Sequence, residues 1–106
     1  MANGKLGANA LTAATNTTVY TVPVDHFSVV SVNFTNRNSQ ARNIRIALAD
    51  TDSPTTAEWV EYDTELIGNG VLERTGFVLS AGQKIVCFSN STECNAVVYG
   101  IETSTA

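Results

Sequence analysis

Apolar and polar positions alternate with a period of two over much of this chain, and that period predicts strands. Within 27–34, Val30, Val32 and Phe34 fall on one side while Ser31 and Asn33 fall on the other. Within 43–49, Ile44, Ile46 and Leu48 alternate with Arg45 and Ala47, the clearest such stretch in the chain, and within 95–102 Val97, Tyr99 and Ile101 share a face. The apolar runs 19–24, 71–79 and 84–89 add three more strands, each flanked by turn-forming residues. The segment 59–63 is ambiguous, because Trp59, Tyr62 and Leu66 also suit one face of a helix at spacings of three and four. A short strand is preferred there, after a loop that runs through about Ala57.

The turns have their own chemistry. Pro23 suits the first central position of a type I turn and Asp25 tolerates the left-handed region, which gives a three-residue hairpin loop with a bulge. Ser80, Ala81 and Gly82 repeat that device before 84–89, Asn69-Gly70 marks a turn, and Gly76 interrupts its strand as a bulge or a close backbone approach. Seven strands so spaced predict an all-β antiparallel β-sandwich, jelly-roll-like, over residues 17–106. Residues 1–16 hold neither period for long and read as an extended N-terminal arm, either frayed or laid on a neighbouring subunit.

Composition agrees. Val, Ile and Thr number 31 against 6 Leu, which favours strands over helices, and 106 residues make one domain. No run approaches the roughly 20 apolar residues of a membrane span, and the N-terminus lacks the order of a signal peptide, so no membrane association is expected. Six cations against ten anions, with a pI of 4.7, leave no broad positive face for a phosphate backbone, so nucleic acid is not an expected partner.

The charges are segregated. Arg37, Arg42 and Arg45 form a stretch without acids, whereas Asp50, Asp52, Glu58, Glu61, Asp63 and Glu65 form one without bases. Such patches complement one another between identical neighbours, or match across adjacent loops of one molecule. Trp59 and Tyr62 beside the acids read as core or subunit-contact residues, with an aromatic sugar platform as the competing reading. Asp50 and Asp52 lack the Gly and terminal Glu of a calcium loop.

Catalytic chemistry is not legible. His26 is the sole histidine, and it cannot bridge its neighbour Asp25 and Ser28 from a tight turn. No G-x-S-x-G, phosphate loop, H-E-x-x-H or C-x-x-C occurs, so no enzyme of a familiar class, no metal site and no cofactor are expected. Cys87 and Cys94 could bond across a loop in an oxidising compartment, but two reduced, buried thiols are the favoured reading for a chain without a signal peptide.

The strings TNTTVYTVPV at 15–24, NFTNRN at 33–38 and EWVEYDTELIGNGVLERTGFVLSAGQKIV at 58–86 resemble a group of small virion structural proteins of tailed bacteriophages, cyanophages in particular. The resemblance runs from about residue 5 to 102, and EYDTEL followed by GVLERTGFVLSAGQK is its most specific element. Where the group's first turn reads Pro-Ala-Gly-Lys, this chain has Pro23-Val24-Asp25-His26. The resemblance implies a structural protein of the virion, assembled in the host cytoplasm. A capsid decoration (cement) protein that binds the major capsid protein between capsomers is the first choice, ahead of a tail, baseplate or fibre-attachment component. A homo-oligomer is expected, and a trimer fits local threefold sites. The candidate interface comprises Lys5, Leu6 and Leu11 of the arm, with Arg37, Arg42, Arg45, Asp50, Asp52, Glu58, Trp59, Glu61 and Tyr62 of the body.

Overall fold

The computed structural model describes residues 3–105. Along the chain run β1 (Asn3–Ala10), β2 (Thr17–Thr21), β3 (His26–Asn36), β4 (Arg42–Ala49), a 3₁₀ turn (Thr56–Glu58), β5 (Trp59–Leu66), β6 (Val71–Leu79), β7 (Lys84–Ser89) and β8 (Cys94–Ser104). They form two four-stranded sheets, ordered β1-β8-β3-β6 and β2-β7-β4-β5, with every pairing antiparallel.

The period-two residues explain how the sheets meet. Val32 and Phe34 on β3, Leu79 on β6 and Val98 on β8 belong to one buried cluster with Ile44 and Ile46 on β4 and Ile85 on β7. Since each such side chain gains about 1.5–3 kcal/mol on burial, sandwich-like packing of the inner faces dominates the stability. On β8 the inward residues are Ala96 and Val98, so Val97, Tyr99 and Ile101 lie on the outer face. Gly76 stands at a φ of 80° where the β3–β6 register shifts, the bulge its position predicts.

Three expectations are revised. Residues 3–10 are not a free arm: β1 pairs with β8 from Asn3↔Ile101 to Ala10↔Asn95 and makes an eighth strand. Leu6 packs against the core and Leu11 is buried in it, so the boundary drawn at residue 16 cuts through the sandwich. Gly7 permits this closure, since a Cβ there would strike the carbonyl oxygen of Val19. Met1 and Ala2, also assigned to the arm, and Ala106 of the body lie outside the described residues.

The other revision concerns the two hairpins. Asp25 (φ 59°) and Gly82 (φ 84°) do adopt the left-handed backbone their turns require. Yet β2 and β3 belong to different sheets, as do β6 and β7, so each turn carries the chain across the core instead of joining paired strands. The two turns lie against each other: Val22 N donates to Gln83 O and Gly82 N to Val22 O, both at 3.0 Å.

Candidate functional site

The outer face of the second sheet carries a small apolar cluster of its own. Ala47, Ala49 and Val86 are fully buried there, with Trp59 packed on them. The segment 50–58 is strapped to the same sheet by its acids. Asp52 Oδ1 accepts from Thr18 Oγ1 at 2.5 Å and lies 3.8 Å from Lys84 Nζ, and Asp50 Oδ1 accepts from Gln83 Nε2 at 3.2 Å. The Glu58 carboxylate accepts from the amides of Thr55 (2.9 Å) and Asp50 (3.1 Å), which closes the loop ahead of β5.

Beside this strap, Arg45 points outward from β4. Its guanidinium carbon lies 4.1 Å from the ring centroid of Tyr62, 4.3 Å from that of Phe88 and 5.8 Å from that of Trp59, distances at which a cation is drawn to an aromatic face. Asp63 completes the arrangement: Arg45 Nε donates to Oδ1 at 2.6 Å and Nη2 to Oδ2 at 3.2 Å. This bidentate bond is the main reason that the Arg45 pKa rises above its ordinary value.

Backbone geometry makes the cluster. Ile44 pairs with Thr64 but Ile46 pairs with Glu61, so β5 spends an extra residue between them. Asp63 absorbs it at a φ of 51°, a conformation that Asp tolerates better than most residues. The bulge turns both Tyr62 and Asp63 toward Arg45, while Phe88 sits directly opposite Arg45 on β7. Tyr62 remains 57% exposed, and Trp59 meets it edge-on with centroids 5.5 Å apart and planes at 69°. With Thr56 the two rings line an open depression of about 330 Å³.

The remaining candidate residues are dispersed. Glu61 accepts from Thr64 Oγ1 at 2.7 Å and pairs with Arg74, which joins the edge strands β5 and β6 of opposite sheets. Arg37 donates to Asn95 Oδ1 (3.1 Å) and Thr92 O (3.3 Å) at the start of β8. Arg42 Nη1 reaches Ala41 O at 3.4 Å and its buried Nε has no hydrogen-bond partner among the described residues. Lys5 is exposed on β1, whereas Leu6 and Leu11 serve the core of their own chain. Of the twelve candidates, Arg45, Trp59 and Tyr62 gather at one place. Their charge complement comes from within the chain, through Asp63.

Sequence reasoning missed Phe88 and the special part played by Asp63. The alternation of KIVCFS, with Ile85 and Cys87 inward, carries the signal that Phe88 faces out. Nothing in EWVEYDTEL announces the bulge.

Elsewhere the reactive side chains are committed to structure. His26 Nδ1 lies 2.9 Å from Val24 O, while Ser28 is buried against Tyr20. Cys87 on β7 and Cys94 at the start of β8 are free and buried, and burial pushes the Cys87 thiol up to about 12. Among the described residues no group of three or more His, Cys, Asp or Glu gathers as a metal site, and no helix is long and apolar enough to cross a membrane. Comparison with protein-family models, with curated proteins and with solved structures finds no match.

Proposed function

We propose that this chain is a non-enzymatic structural protein of a bacteriophage virion, a capsid decoration protein that binds the shell between capsomers and docks through the Arg45–Trp59–Tyr62 surface. The observation that carries the reading is the composition and rigidity of that surface. Trp, Tyr and Arg are the residues that most often dominate protein–protein binding energy. Here Arg45 is clamped by Asp63 and stacked on Tyr62 and Phe88, so little side-chain entropy is left to lose when a partner docks.

Connectivity supports the same reading. The lateral neighbours β1·β8, β2·β7, β3·β6 and β4·β5 are those of one long hairpin rolled up on itself, and we read the sandwich as a jelly roll, an architecture common in viral shells and in lectins. As a small domain it would gain stability by covering a further face in a homo-oligomer or on the major capsid protein.

A purified-virion experiment tests the proposal. Copy number should be in the hundreds per particle, and Tyr62→Ala or Arg45→Ala should weaken attachment to stripped heads by tenfold or more, the mark of an interface hot spot. Recovery with tails in a few dozen copies at most would move the protein to the tail, baseplate or fibre. The open corner between Trp59 and Tyr62 favours one second reading, a carbohydrate-binding module. Saturable quenching of Trp59 fluorescence by one sugar class, with head attachment unchanged in Tyr62→Ala, would replace the first reading with it.

A further inference from the structure

The opposite face of the molecule holds a second surface. On the outside of the β1-β8-β3-β6 sheet, Val29 of β3 pairs with Val78 of β6 on one side and with Ile101 of β8 on the other. The three stand in one row across the strands, 63% (Val78), 44% (Val29) and 56% (Ile101) exposed. Phe27, two residues earlier on β3 and on the same face, is 39% exposed. Single exposed apolar side chains are ordinary. Three in register, with strands about 4.8 Å apart, make a continuous strip, and a contiguous patch of this kind marks an interaction site.

The charges around the strip indicate what covers it. Lys5 of β1 pairs opposite Tyr99, toward one edge of the sheet. Glu73 of β6 pairs opposite Asn33, toward the other edge, and accepts from the Tyr99 hydroxyl. A copy rotated by half a turn about an axis along the strands, then laid face to face, keeps its height along the strands and exchanges its two edges. With the axis between β8 and β3, Ile101 and Val29 of one copy meet Val29 and Ile101 of the other, and each Lys5 comes to the Glu73 edge of the other copy, two residues away along the strands. The face is self-complementary under a twofold axis, the condition for an isologous contact. The strand axes of the two copies stay parallel, which is compatible with aligned sheet packing.

We infer that this face is a homodimer interface, formed by a second copy of the chain docking strip on strip with reciprocal Lys5–Glu73 pairs. Two patches of a few hundred Å² each bury in total about 1,000 Å², the lower bound of specific interfaces. A weak dimer that forms only at raised protein concentration is therefore expected. The inference rests on the isolated protein and is independent of the shell-binding reading.

Sedimentation velocity of the full chain from about 1 to several hundred micromolar tests it, with circular dichroism as the folding control. The native protein should pass from monomer to dimer. Val29→Lys, an outward substitution, should weaken the dimer more than tenfold with an unchanged spectrum, and the milder Val78→Ser should act in the same direction. Lys5→Glu and Glu73→Lys should each weaken it, and the double reversal should restore it. A protein that stays monomeric throughout, forms trimers, or keeps its dimer in folded Val29→Lys and Val78→Ser variants overturns the inference. In the monomeric case the strip is left to the shell protein.

Discussion

The Tyr20 hydroxyl on β2 crosses the sandwich to donate to Glu102 Oε2 on β8 at 2.6 Å, and it lies 2.6 Å from Ser28 Oγ on β3. Ser28 and Glu102 are themselves paired residues of adjacent strands, so one side chain of the second sheet is bonded to two of the first. All three are buried, which makes this a polar rivet in an apolar interior.

This rivet contributes to the alkaline limit of stability. Burial first, and then the bond to Glu102, raise the Tyr20 pKa from 10.0 to about 12. The unfolded chain gives up the phenolic proton at the lower pH, so the contribution is complete below pH 10, falls as pH rises toward about 12 and is lost beyond. The buried Cys87 thiol, raised from 9.0 to about 12, acts in the same direction from a lower starting pH. Urea melts between pH 8 and 12 should therefore show a shallower alkaline decline for Tyr20→Phe than for the native chain. At neutral pH that variant should lose about 1–3 kcal/mol, since a buried acceptor forfeits a donor. Identical pH slopes for the two proteins would discard this account.

Asn36 offers a sharper test at the other end of the sandwich. Its Nδ2 donates to the carbonyls of Gln40 (2.9 Å), Leu66 (3.1 Å) and Ile67 (3.1 Å), while Oδ1 accepts from Asn38 N at 2.9 Å. Asn36→Ala should cost about 2–4 kcal/mol, as several backbone acceptors lose their donor. Asn36→Asp is nearly isosteric yet should be worse at pH 7, because it turns a carboxylate toward those carbonyls, and it should recover as pH falls and the acid is protonated. A milder effect for Asp than for Ala at neutral pH would show that the donor role is misassigned.

The N-terminal strand should behave as structure. Amides of residues 3–10 bonded to β8 should resist hydrogen exchange in the free monomer. Removing residues through 10 withdraws Leu6 from the core and opens the β8 edge. A loss of about 2 kcal/mol is expected from the apolar burial alone. For a domain of this size Tm should then fall by about 10 °C. An unchanged Tm would restore the picture of a loose arm.

Much of this was legible along the chain for a simple reason. β3 and β4 carry apolar residues at alternate positions, β6 and β7 are apolar runs bounded by turn residues, and Asp25 and Gly82 provide the backbone freedom that their turns need. β1 was not legible: its Ala, Asn and Gly residues have little apolar period, and its strand state comes from the ladder that β8 offers. The site was half legible. Arg45, Trp59 and Tyr62 stand out by residue type, but their meeting depends on a bulge at Asp63 that no local pattern encodes.

By itself the sequence determined that most of the chain forms strands, which residues of β3 and β4 turn inward, and where the chain reverses, because these depend on residues two to four positions apart. Tertiary structure alone decided which strands pair and which stack. A left-handed residue at Asp25 or Gly82 turns the chain equally well within a sheet or across the core, and the choice lies with residues far away in sequence that bury the inner faces of β2, β3, β6 and β7. Likewise the opposite charges of 37–45 and 50–65 were evident as segments, while only the β4–β5 register brought Arg45 to Asp63 within one molecule.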